Sequence, residues 1–218
     1  VSVSKTMATD VSTRSFSVVW MADGPFIPQL EVFSDPDGLN PISVSVTNVS
    51  QNYPPAEDLG VLKVTVTGLT SGTTYYYRTT TTSKGGGNDR VYPVTTPLPS
   101  VTTEILVKRT ITSGEDEVPF TNDLLTIDVF QEDGVTIADG ALIVLDIAGA
   151  DYPISAFVGM GTLSPATILD LNNVFDKNAH ESMDLKGNES TALRLIGGGP
   201  WVIHIFPLIS LLKVVKRK

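Results

Sequence analysis

The chain of 218 residues contains no cysteine, so neither a disulfide nor a thiolate metal site can be built from it. That excludes the small disulfide-stapled scaffolds but leaves export open, because larger surface sandwiches hold together by core area alone. Histidine is nearly as scarce, with His180 and His204 as its only instances. A hydrolytic metal centre takes several His and Asp ligands from the ends of successive strands, more than this inventory supplies. Basic residues are also few: 15 Lys and Arg against 24 Asp and Glu leave a net charge of −9, the wrong field for a phosphate backbone, so no nucleic-acid partner is expected. The nearly continuous apolar stretch at residues 201–212 is broken by Pro207 and is too short to cross a bilayer, which takes about 20 residues of helix. No nucleophile elbow, dinucleotide fingerprint or P-loop occurs. Paired carboxylates are found only as neighbours in acidic turns, where nothing would shift a pKa. The absences predict no enzyme activity and no cofactor.

What is present is alternation. Val64 and Val66 share one face of a strand and Thr65 and Thr67 the other; Gly68 and Ser71-Gly72 then turn the chain, and Tyr75 and Tyr77 restart the pattern. A Tyr just after such a corner can bury its ring and return its hydroxyl to nearby backbone, fixing how the chain crosses between two sheets. Val1/Val3, Phe16/Val18/Trp20, Leu30/Val32, Ile42/Val44/Val46, Leu62/Val64/Val66, Tyr75/Tyr77 and 91–94 make seven short strands, with 14 prolines and 18 glycines supplying turns. The chain is long enough for two ordinary domains. Thr96-Pro97-Leu98-Pro99-Ser100 reads as a stiff connector holding two units apart in line.

The run from Gly68 to Arg78, with Trp20 after Phe16 and Val18, resembles the fibronectin type III family, including the variant that precedes purple acid phosphatase catalytic domains. Leu69 and Tyr75 match the family's corner leucine and tyrosine, and Trp20 its core tryptophan. The resemblance covers residues 1–97 and implies an immunoglobulin-like β-sandwich that serves as spacer or protein-binding scaffold. An Arg-Gly-Asp motif is absent. The expected fold is all-β, two β-sandwiches in tandem: 1–97, a proline linker at 98–103, a second sandwich at 104–199 of no recognised family, and an apolar-basic strand or tail at 200–218.

In the first unit, Asp35, Asp37 and Asn40 have a spacing that resembles the opening of a calcium loop. No carboxylate follows at the closing distance, so a Pro-Asp-Gly turn with side chains capping backbone amides is the preferred reading, and these three remain the metal candidates. Lys84 to Asp89, rich in glycine, is a loop between two strands and not a phosphate cradle. In the second unit, residues 125–129 and 141–147 are the strongest strands, the latter apolar on both faces and therefore central. Its order of strand, Gly turn, Ala-Asp-Gly step and buried strand resembles the peptidase-regulatory or transthyretin-like sandwiches, with no residue carried across. Ser164-Pro165 suits a helix N-terminus, and a short helix competes there with a strand. His180 beside Asp176, Glu181 and Asp184 reads as a solvated loop. Asn48-Val49-Ser50 and Asn188-Glu189-Ser190 fit the glycosylation pattern.

After Gly197-Gly198-Gly199-Pro200, the residues Trp201, Ile203, Ile205, Phe206, Leu208 and Leu211 form an apolar tail closed by Lys213, Lys216, Arg217 and Lys218. It reads as an internal strand, an interfacial anchor touching a membrane, or a strand donated to a neighbouring copy. The function expected is a non-catalytic extracellular structural or adhesive module with a protein partner or self-association, including a surface filament built by strand donation. An accessory region of a secreted hydrolase and a carbohydrate-binding sandwich using Tyr76, Tyr92 or Trp201 are the alternatives. The location expected is outside the cell, with the leader removed and Val1 as the mature end.

Overall fold

The computed structural model describes Val3, residues 6–87, 89–105, 124–131, 133–147 and 151–159, and the strands 166–170, 201–206 and 213–216. Along them run β1 (Met7–Thr9), β2 (Ser15–Met21), β3 (Phe26–Phe33), β4 (Ser45–Asn48), a 3-10 turn at Ser50–Asn52, the short helix α1 (Pro54–Asp58), β5 (Val61–Thr67), β6 (Thr74–Ser83), β7 (Arg90–Tyr92) and β8 (Ser100–Thr102). Then follow β9 (Leu124–Phe130), β10 (Leu142–Ile147), β11 (Ile154–Phe157), β12 (Ala166–Asp170), β13 (Trp201–Phe206) and β14 (Lys213–Lys216). Every strand pairing among the described residues is antiparallel, and α1 is the one α-helix among them. No described helix is long and apolar enough to cross a membrane.

The first half folds as a sheet in the order β1-β2-β5-β4 against a second sheet, β3-β6-β7. Alternation decides the inner faces: Phe16, Val18 and Trp20 of β2 and Leu62, Val64 and Val66 of β5 meet Leu30, Val32, Tyr75 and Tyr77 in one core. The Trp20 indole N–H donates to the Thr81 hydroxyl at 2.9 Å, which satisfies the one polar atom the ring carries into that core. At the corner, Gly68 and Gly72 take φ of 86° and 61°, and the Thr70 N–H donates to the Tyr75 hydroxyl oxygen at 2.9 Å. Leu69 is buried beside it.

One expectation is corrected here and two open readings are decided. Residues 98–103 are not a free linker. Ser100–Thr102 is strand β8, which pairs with Thr74–Tyr76 of β6; Val101 is fully buried in the first core, and the Thr103 hydroxyl donates to the Thr70 carbonyl at 2.6 Å. Tyr76 is paired to Phe33 on one side and Ser100 on the other, so β7 and β8 are successive pieces of one edge. The prolines misled because they remove donors only where the chain leaves the sheet between those pieces. The alternation read at Ile42, Val44 and Val46 becomes a strand only from Ser45, as β4, which pairs with β5. The stretch after Ser164-Pro165 forms strand β12 against β9 and not a helix at 166–170. Strand β1, at Met7–Thr9, has no clear alternation and was not foreseen from sequence.

Both faces of β2 are covered. Strand β2 is buried at five consecutive positions, Phe16 to Trp20, where a strand with one face in solvent would alternate. The second half covers the outer face: Val19 and Val61 join Tyr53, Ala56, Leu142, Val144 and Phe157 in a further core. The two halves are therefore packed together and not held apart. In the second half the sheet orders are β11-β10-β13 and β12-β9-β14. Leu142 to Leu145 of β10 are all buried, in keeping with the central strand expected from its two apolar faces.

Candidate functional site

The densest polar cluster among the described residues lies where the halves meet. Lys63 projects from the outer face of β5, between Leu62 and Val64, which point into the first core. Asp10, at the end of β1, takes the left-handed backbone conformation, φ 53°, which turns its carboxylate toward Lys63. Ser155 arrives on β11. The Lys63 ammonium donates to Asp10 Oδ2 at 2.9 Å, to the Ser155 carbonyl at 3.0 Å and to Ser155 Oγ at 2.8 Å. Asp10 accepts the Ser155 N–H at Oδ1 and the Ser155 hydroxyl at Oδ2, both at 2.7 Å, with the Thr9 hydroxyl 2.8 Å from Oδ2. The Asp10 N–H donates to the Pro153 carbonyl at 2.9 Å. Burial alone would raise the Asp10 pKa, but the Lys63 charge and the Lys63 and Ser155 hydrogen bonds outweigh it and hold the carboxyl below the ordinary value.

A serine beside a lysine invites comparison with a Ser-Lys nucleophile pair. That chemistry needs a neutral amine to take the serine proton. Here the ammonium spends its three N–H groups on three oxygens, and the Ser155 proton is directed at Asp10, so the geometry is that of a closed ion-pair network.

A second contact flanks it. Tyr53, at the N-terminus of α1, directs its hydroxyl at the Asp139 carboxylate and at the Val158 carbonyl, 3.0 Å away. Burial first and Asp139 second raise the Tyr53 pKa, so the ring stays a neutral donor. Gly140, φ 81°, lies so close to Pro55 and Ala56 that any Cβ would overlap their backbone, which is the physical reason for the Ala-Asp-Gly step. The Tyr152 hydroxyl completes the seam by accepting the Thr102 N–H at 2.9 Å.

The residues singled out from sequence lie elsewhere. Asp35 Oδ1 accepts the N–H groups of Asp37 and Leu39, and Oδ2 that of Asn40 at 2.7 Å. Its carboxylate thus caps its own loop; desolvation would raise its pKa, but the hydrogen bonds from Leu39, Asn40 and Asp37 together outweigh it and hold the carboxyl below the ordinary value. No group of three or more His, Asp and Glu able to hold a metal occurs among the described residues. Tyr76 and Tyr92 do not form one aromatic platform. Tyr92 is opposite buried Thr79 and shares its core-facing side, whereas Tyr76 alternates with buried Tyr75 and Tyr77 and faces outward. Trp201, Ile203, Ile205 and Phe206 lie in β13, which pairs with β10 of the same chain from Trp201↔Ile147 to Phe206↔Leu142. Lys213–Lys216, as β14, pairs with β9. Leu208, Leu211, and His180 with Asp176, Glu181 and Asp184, lie outside the described residues. Sequence reasoning missed Asp10, Lys63, Ser155, Tyr53 and Asp139. The one signal for them is Lys63 itself, a lone charge amid the apolar alternation of β5.

No known family model matches the chain, and no curated protein matches it.

Proposed function

We propose that this chain is a non-catalytic extracellular structural or adhesive module of two β-sandwiches in tandem, the first similar to fibronectin type III and immunoglobulin domains. The observation that carries the reading is the Asp10–Lys63–Ser155 network, in which the groups best suited to chemistry are consumed in joining one half to the other. The Tyr75–Thr70 corner bond and buried Trp20 support the family likeness of the first half, and the order β1-β2-β5-β4 against β3-β6-β7 matches the constant-type immunoglobulin arrangement. Acidic charge and freedom from cysteine suit an exported protein whose partner is another protein or a second copy. The test is a broad screen of the full chain for ester, phosphoester and glycoside hydrolysis, paired with Ser155→Ala. No turnover in either protein is expected. Turnover that disappears in Ser155→Ala, with an unchanged fold, would overturn the reading.

A further inference from the structure

We propose that the free edge of β4 is a docking site for a second copy of this chain, which adds its own β4 in antiparallel register to make one continuous sheet. The phase of hydrogen bonding along β4 identifies which groups are free. The Val49 N–H donates to the Lys63 carbonyl at 3.0 Å, and the two-residue period of an antiparallel ladder then directs Thr47 and Ser45 at Thr65 and Thr67. Val46 and Asn48 direct their N–H and C=O groups away from β5, and no hydrogen bond to the outward groups of Val46 is found among the described residues.

Sheet edges are normally blunted by charge, proline or a covering segment. The other edges of the first half have such guards: β1 runs into Asp10, whose N–H is taken by Pro153; β7 carries Arg90 and ends at Pro93; and the end of β3 is bridged by Pro41 and by the Ile42 N–H. Edge β4 has none. Residues 38–56 contain no charged side chain, Ser45, Val46 and Thr47 are exposed, and Val46 is 43% accessible at the rim of the first core.

A second copy is the occupant that this edge fits. Each copy carries a charge of −9, and an uncharged edge is where two copies meet with least repulsion. Centred on Val46, the register is its own complement: Val46 meets Val46, and Ser45 of one copy meets Thr47 of the other. The protein already uses hydroxyl pairs across strands, at Ser17–Thr65 (2.8 Å) and Thr74–Thr102 (2.9 Å). The contact is isologous and closes as a dimer.

The inference deepens the self-association in the proposed function. It is tested by sedimentation equilibrium of the full chain over a wide concentration range, with Val46→Lys as the variant. Wild type should dimerise at high concentration, and Val46→Lys should stay monomeric with an unchanged denaturation midpoint. A wild type that is monomeric throughout, or a dimer that survives Val46→Lys, overturns the edge; neither outcome touches the non-catalytic reading, which only turnover would overturn. Should Val46→Lys fail to fold, Val46→Cys decides. In a chain with no other cysteine, oxidation must give a disulfide-linked dimer, since opposed residues of such a pair sit about 5.5 Å apart at Cα, within disulfide range. Failure to cross-link then overturns the proposal.

Discussion

Lys63 and Asp10 illustrate how a buried ion pair differs from a surface one. Their side chains are 11% and 27% exposed, and each is fully occupied by hydrogen bonds, so the pair adds little net stability while the loss of one member leaves the other stranded. Lys63→Ala is therefore expected to cost about 3–5 kcal/mol in equilibrium denaturation, the range for an uncompensated buried charge. A Lys63→Met/Asp10→Asn double variant should recover a large part of that. If the single and double variants are equally destabilised, the network is not coupled. Tyr75 is a gentler case. Tyr75→Phe removes the acceptor of the Thr70 N–H and should lower stability by about 1 kcal/mol, an unpaired amide at a half-buried corner; an unchanged denaturation midpoint would mean that water replaces the hydroxyl.

At the scale of elements, the apolar-basic tail shows where a strand's partner is decided. Its alternation permits an internal strand, an anchor or a donated strand, and pairing with β10 over six residues places β13 within the chain's own sheet. Val144 and His204 are opposed in that register. A Val144→Cys/His204→Cys variant, in a protein with no other cysteine, is expected to form an intramolecular disulfide and migrate as an oxidised monomer on a non-reducing gel. A ladder of linked multimers would show instead that β13 is exchanged between copies. Strand β8 carries the opposite lesson, because prolines that suggest a connector in fact flank a strand whose Val101 side chain is buried in the core.

For the whole molecule, the joint between halves combines an apolar driving force with a polar lock. Full burial of Leu142, Val144 and Phe157 is worth roughly 1.5–3 kcal/mol each, well above the net value of one ion pair, so packing drives the docking and the Asp10–Lys63–Ser155 bonds fix its register. The lock has a pH signature. Asp10 is below its ordinary value of 3.8 in the folded protein, so its contribution is complete above that value and is lost as pH falls through the folded pKa. Stability should thus fall progressively below about pH 4 in the wild type and less steeply in Asp10→Asn, as followed by near-ultraviolet circular dichroism. Equal slopes would show that Asp10 does not titrate with unfolding. The all-β character, the inward faces of β2, β5 and β6, the Tyr75 corner and the centrality of β10 were legible in the chain because each depends on a two-residue period or a turn residue, both of which are local. The pairing of β4 with β5, the membership of β8 in the sheet of β3, β6 and β7, the second buried face of β2 and the meeting of Asp10, Lys63 and Ser155 were decided only by tertiary structure. Which sheet covers which face, and which polar group meets which across the 145 residues between Asp10 and Ser155, depends on long-range packing that no local pattern encodes.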